Sequence, residues 1–201
     1  LKVAITDQNL ADVIFNTLYD KALTGSLPAA IVAMQRGQYE LLKPMVEKYV
    51  YLLFDPDQSE GTYLSVECHD SDPHLKRATF LAKVEQFPRV QELVKTTWDN
   101  WYCQLWDVGD AGPAFRTPVT SKIPTLFLTG YYDPVTPSVW AKATATYFSH
   151  GYLFEFPDVG HGAIDSNKCA SLLAKSFLQN PHRKPYNKCL EELGKLHFTT
   201  E

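Results

Sequence analysis

Two short apolar runs constrain this chain more than any other feature. Thr125-Leu126-Phe127-Leu128-Thr129-Gly130 is followed by Tyr131-Tyr132-Asp133-Pro134-Val135-Thr136-Pro137, and Tyr152-Leu153-Phe154-Glu155-Phe156 is followed by Gly160-His161-Gly162. One helix-length separates them. The pattern reads as strand, acid-bearing loop, helix, strand, histidine-bearing loop, which is a βαβ unit with a parallel strand pair. In open α/β sheets, ligands and chemistry gather beyond the carboxyl ends of the strands, where Asp133 and His161 both fall. Asp133-Pro134 alone reads as a turn, and a histidine between glycines alone reads as a backbone device. Together, in this order and topology, they read as an acid that orients a base.

Composition is that of an ordinary globular chain. Of 201 residues, 45% are apolar and 21% charged, with a formal charge of -4. That charge gives no basic footprint, so nucleic acid is not an expected partner. No apolar stretch reaches the roughly 18 residues of a membrane span. The chain opens on Leu1, with no basic stretch leading into an apolar one: either a signal peptide has been removed or, as is expected here, the true N-terminus lies elsewhere.

Upstream, the pattern is helical. Leu10, Val13, Ile14 and Leu18 share one face over residues 7–20, with Thr6 or Asp7 as cap. Gly25-Ser26-Leu27-Pro28 reads as a break, followed by a short helix from Pro28 to Arg36. Leu42, Met45, Val46, Tyr49, Val50 and Leu53 then repeat at helical spacing, with Pro44 in the first turn. Residues 1–61 therefore read as a helical segment set apart from residues 62–201, which carry the sheet. Thr62 to Cys68, rich in β-branched and aromatic residues, reads as the first strand. Helical segments follow at about 74–86 and 89–101, divided by Pro88. A Pro- and Gly-rich loop runs from Cys103 to Pro124. Thr136-Pro137 reads as a capped helix start, Asn167 to Gln179 as the last good helix, and the tail beyond Asn180 as loosely ordered.

The four cysteines, Cys68, Cys103, Cys169 and Cys189, show no Cys-x-x-Cys or Cys/His doublet, so zinc is not expected. Three pairings are open, and the two local ones are favoured. Disulfides would imply an oxidising setting outside the cytosol.

Ile123-Pro124-Thr125-Leu126-Phe127-Leu128-Thr129-Gly130 with Asp133-Pro134-Val135-Thr136-Pro137 resembles the C-terminal part of the tripeptidyl aminopeptidase and proline iminopeptidase family of α/β-hydrolases. Gly160-His161-Gly162 matches that family's histidine loop. Cys169 and Cys189 resemble the pair that closes its exported members. Ser65-Val66-Glu67-Cys68-His69-Asp70 and Cys103-Gln104-Leu105-Trp106 resemble two further segments, and Leu27-Pro28 to Gly37 resembles a helical lid. The resemblance covers nearly the whole chain. It implies a partial α/β-hydrolase fold, with lid helices over residues 1–61 and the last parallel strands and helices of the sheet over 62–201.

The resemblance further implies a secreted or periplasmic serine hydrolase, an aminopeptidase that takes residues from peptide N-termini. Asp133 would orient His161 as general base, and no metal or cofactor is called for. No Gly-x-Ser-x-Gly occurs, and the one Gly-Ser, Gly25-Ser26, follows no strand. The strained elbow that presents a nucleophile and helps build the oxyanion hole is therefore missing. The expectation is a C-terminal portion of a larger hydrolase, inactive alone, with unpaired sheet edges that favour self-association. Glu67 and Asp70 are candidates to hold a substrate ammonium, and Trp98, Trp101 and Trp106 to line an apolar pocket. The alternative readings are a solvated turn carboxylate for the acids and, as aromatics at helical spacing more often are, core or lid packing for the tryptophans. An esterase or lipase-like enzyme, and a binding domain that has lost its nucleophile half, are the alternative readings.

Overall fold

The computed structural model describes residues 4–70, 77–88, 91, 94 and 101–200. Among the described residues, the first elements are α1 (Asp7–Thr17), α2 (Lys21–Gln35), α3 (Lys43–Leu53), α4 (Glu60–Asp70) and α5 (Arg77–Val84). A short 3-10 turn, Trp101–Gln104, precedes β1 (Thr125–Gly130), α6 (Ser138–Ala145) and β2 (Gly151–Phe156). Then come α7 (Ala163–Ser166), α8 (Lys168–Gln179) and α9 (Lys188–Glu191). Most of the expected 89–101 helix, including Trp98, lies outside the described residues, although Gln91 and Val94 within it are helical; the start of the one expected at 74–86 also lies outside them.

The chain divides into two compact units. One holds residues 1–11 and 53–117, and the other holds 12–52 and 118–201. The second contains the sheet. β1 and β2 pair in parallel with Thr125 opposite Gly151 and Gly130 opposite Phe156, joined through α6 as the alternating pattern predicts. The core of this unit is Phe154, Phe156, Val159, Ala163, Cys169, Ala170 and Leu173, with Leu126 and Leu128 of β1 packed against it. Asn167 caps α8, its side chain accepting from the Cys169 N–H at 2.8 Å. The Cys169–Cys189 disulfide, with Cα atoms 5.7 Å apart, ties α8 to α9. This partial α/β fold agrees with the sequence expectation.

Three expectations fail. Thr62 to Cys68 is not a strand but the body of α4. Its β-branched content is outweighed by a helix start: Ser59 Oγ accepts from the Thr62 N–H at 3.4 Å and the Ser59 carbonyl from the Tyr63 N–H at 2.9 Å. Cys68 sits in the last turn of α4 and pairs with Cys103, Cα atoms 5.2 Å apart, within the ordinary disulfide range. Nor do Gly25 to Pro28 break the chain. α2 runs through them, started by Asp20, which accepts from the N–H groups of Ala22 and Leu23. Pro28 still cannot donate to the Thr24 carbonyl, and the packing of buried Thr24, Gly25, Ala29 and Ala30 offsets that loss.

The tail is not loose either. Thr199 lies along α2, where its N–H donates to the Gly25 carbonyl at 2.9 Å and its carbonyl accepts from Ala29 at 3.0 Å. Phe198 stacks edge-to-face on Tyr132, with ring centroids 5.6 Å apart.

Candidate active site

The loop after β1 and the loop after β2 are sewn together by backbone contacts. The N–H of Tyr131 donates to the Phe156 carbonyl and that of Tyr132 to the Val159 carbonyl, each at 3.0 Å. So close an approach demands glycine. A Cβ at Gly130 would lie 2.0 Å from the Gly160 carbonyl oxygen, and one at Gly160 would lie 1.7 Å from that of Leu18. Gly162 has φ +73°, a left-handed conformation that turns the chain into α7 and that side chains disfavour. Gly160-His161-Gly162 is thus glycine-flanked for two different backbone reasons.

This geometry brings Asp133 and His161 together. Nδ1 of His161 lies 3.0 Å from each carboxylate oxygen of Asp133. The carboxylate is enclosed, its side chain 5% exposed against 33% for the imidazole. The N–H groups of Val135 and Thr136 donate to Asp133 Oδ1 at 2.9 and 2.8 Å, and the Thr136 hydroxyl donates to Oδ2 at 2.8 Å. Burial pushes the Asp133 carboxyl up. The Thr136 N–H, the Thr136 hydroxyl, the Val135 N–H and the His161 ring outweigh it and hold the carboxyl below its ordinary value. Thr136 was expected as a helix cap. Pro137 takes the N-cap position of α6 with no side-chain cap bond, and the Thr136 hydroxyl serves Asp133 instead.

Among the described residues, the hydrogen bonds of the His161 ring all use Nδ1, to Asp133 and, at 3.4 Å, to Thr136 Oγ1. Nε2 has no hydrogen-bond partner among the described residues, so it can exchange a proton with an incoming group. Asp133, Thr136 and His161 line a cavity of about 340 Å³ floored by Leu126, Leu128 and Ala163. Chemically, the arrangement can hold an imidazole in one tautomer against a buried, ionised carboxylate.

The periodicity of the sequence did not reveal what grips the other side of the histidine. The Tyr19 ring meets His161 edge-to-face, with centroids 5.1 Å apart. Two residues on, Lys21 is paired with Asp158, which is only 3% exposed and also accepts from Asn167 Nδ2 at 3.2 Å. A Tyr-Asp-Lys run between two helices carries no signal for either contact.

The remaining candidates fall in the first unit. Asp70 Oδ1 sits 2.8 Å from His69 Nδ1, Glu67 is half-buried on α4, and Trp106 donates its indole N–H to Ser65 Oγ at 3.1 Å. The three belong to one neighbourhood, since Trp106 bonds the helix that carries both carboxylates. Among the described residues there is no cluster of His, Cys, Asp or Glu able to hold a metal, and no helix is long and apolar enough to cross a membrane.

No curated protein and no solved structure matches the chain significantly. A family model does match: residues 91–189 fit the one described as TAP-like protein. That segment carries β1, β2, Asp133, His161 and Cys103, and it ends on Cys189. Over that segment, the chain is similar to the C-terminal portion of the TAP-like α/β-hydrolases.

Proposed function

We propose that Asp133 and His161 are the acid and base of a Ser-His-Asp acyl-transfer site whose serine lies outside these 201 residues. The parent enzyme is an exported aminopeptidase that releases residues from peptide N-termini. The observation that carries this reading is the 3.0 Å contact of His161 Nδ1 with a buried carboxylate, which leaves Nε2 without a hydrogen-bond partner among the described residues. With Asp133 ionised, an imidazolium formed during acyl transfer is stabilised where it forms. The two disulfides support an oxidising compartment. Glu67, Asp70 and Trp106 are proposed to meet the substrate's amino-terminal end, and residues 1–61 to act as its lid. β1 and β2 pair only with each other among the described residues, so each presents an unpaired edge suited to further strands or to self-association.

The test is labelling with a serine-reactive fluorophosphonate. Protein from the complete reading frame is expected to label at a serine outside residues 1–201 and to lose labelling with His161→Ala. The 201-residue chain alone should not label; a labelled serine within it would overturn the reading. Cleavage of peptides with free but not acetylated amino termini would separate an aminopeptidase from an esterase. The lack of any Gly-x-Ser-x-Gly in the sequence favours one second reading, a binding domain without catalysis. A reading frame with no such elbow upstream would establish that reading instead.

A further inference from the structure

We infer that Tyr19 is a positioning residue for His161, and that the turn between α1 and α2 sets the plane of the imidazole while Asp133 sets its tautomer. The inference rests on His161 being the base of the proposed site. Asp133 alone does not fix the ring. A hydrogen bond at Nδ1 restrains the ring at one edge, and concerted rotation about χ1 and χ2 can still tilt its plane and displace Nε2. An aromatic ring packed at a steep angle removes that freedom.

Three contacts from four consecutive residues hold the histidine loop. The Leu18 carbonyl lies so close to Gly160 that a Cβ there would meet it at 1.7 Å. The Tyr19 ring stands at 67° to the imidazole with centroids 5.1 Å apart. Lys21 pairs with Asp158, three residues before His161. The turn is itself firm. The N–H groups of Leu18, Tyr19 and Asp20 donate to Phe15, Asn16 and Thr17, and Thr24 Oγ1 donates to the Thr17 carbonyl at 3.0 Å. Phe15 backs Tyr19, with ring centroids 5.9 Å apart. A base carried on a loop needs such second support, since small misplacements of a catalytic group cost large factors in rate.

The test uses the 201-residue chain and histidine-labelled NMR. In the unsubstituted protein, cross-relaxation between His161 and Tyr19 ring protons is expected, and its absence overturns the inference whatever any variant does. Tyr19 is half-buried and lines an open cavity with Lys21 and Ser26, so Tyr19→Leu is expected to fold. It should retain the Nδ1-protonated tautomer but show faster motion of the His161 ring carbons, and Tyr19→Phe should restore the rigid ring. Unchanged ring motion in Tyr19→Leu would overturn the inference. Asp133→Asn separates the two ideas: if it leaves the tautomer unchanged, the acid–base reading fails, while the Tyr19 result stands on its own.

Discussion

His161 Nδ1 lies equidistant, at 3.0 Å, from the two carboxylate oxygens of Asp133, across a separation of 28 positions in the chain. Asp133 reaches that place already satisfied by two backbone N–H groups and a hydroxyl. The carboxylate is therefore held before the histidine arrives. Asp133→Asn should disturb the tautomer more than the fold, because an amide of the same shape can still accept at one position. In the serine-bearing enzyme, turnover is expected to fall by a factor on the order of 10⁴. In this chain alone, NMR should show loss of the single Nδ1-protonated tautomer.

The depressed Asp133 carboxyl also makes a statement about pH and stability. Its folded-state value lies below the unfolded one, so the unfolded chain takes up a proton first as pH falls. The stability it contributes is complete above the unfolded value, near pH 4, and is lost below that as pH approaches the folded value. Glu155 has the same sign: burial raises it, but bonds from Ser138 and Lys142 lower it further. Urea midpoints should fall steeply with acid below about pH 4 in the parent, and less steeply in Asp133→Asn. An unchanged slope in that variant would remove Asp133 from the acid transition.

Glycine substitutions in the two loops should separate close approach from backbone conformation. Gly130→Ala and Gly160→Ala drive a methyl into carbonyl oxygens at 2.0 and 1.7 Å, which no side-chain movement relieves. Each should cost several kcal/mol or prevent folding. At Gly162 nothing lies within 4 Å and only the positive φ opposes a side chain. Gly162→Ala should cost about 1–2 kcal/mol, and Gly162→Asn less. Denaturant midpoints decide, and equal costs at Gly160 and Gly162 would contradict the packing described.

What was legible in the sequence followed from local rules. Strand–loop–helix–strand alternation located β1, β2, Asp133 and His161, because period and glycine punctuation are written in consecutive residues. Thr62 to Cys68 misled because β-branched content is a weaker local signal than the Ser59 cap. Gly25 to Pro28 misled because small residues that break an isolated helix also pack well in a buried one. Tyr19 was invisible for a different reason. Its role depends on a contact 142 positions away in sequence, and no spacing rule reaches that far.

Thr129 carries the one buried side-chain oxygen without a hydrogen-bond partner among the described residues, at 4% exposure. Desolvating a hydroxyl without compensation costs about 1–3 kcal/mol. Thr129→Val keeps the shape and removes the unmet donor, so it should raise stability by about 1 kcal/mol. A loss of stability would mean that the hydroxyl has found a partner.

The tail offers a test of how far order reaches from the site. Thr199 exchanges two backbone hydrogen bonds with α2, at Gly25 and Ala29, and Phe198 packs on Tyr132, the neighbour of Asp133. Thr199→Pro deletes the donor to the Gly25 carbonyl while leaving every residue of the acid–base pair intact. One lost hydrogen bond is worth about 1 kcal/mol, and the strand-like pairing is short enough that its second bond should fail with the first. Amide exchange at Ala29 should therefore accelerate about 5- to 10-fold, since 1.4 kcal/mol is a factor of ten, with the amides of β1 little changed. Phe198→Ala should instead loosen Tyr132 and speed exchange at its amide, which donates to Val159. If neither variant alters its own amide, the tail does not hold the position described.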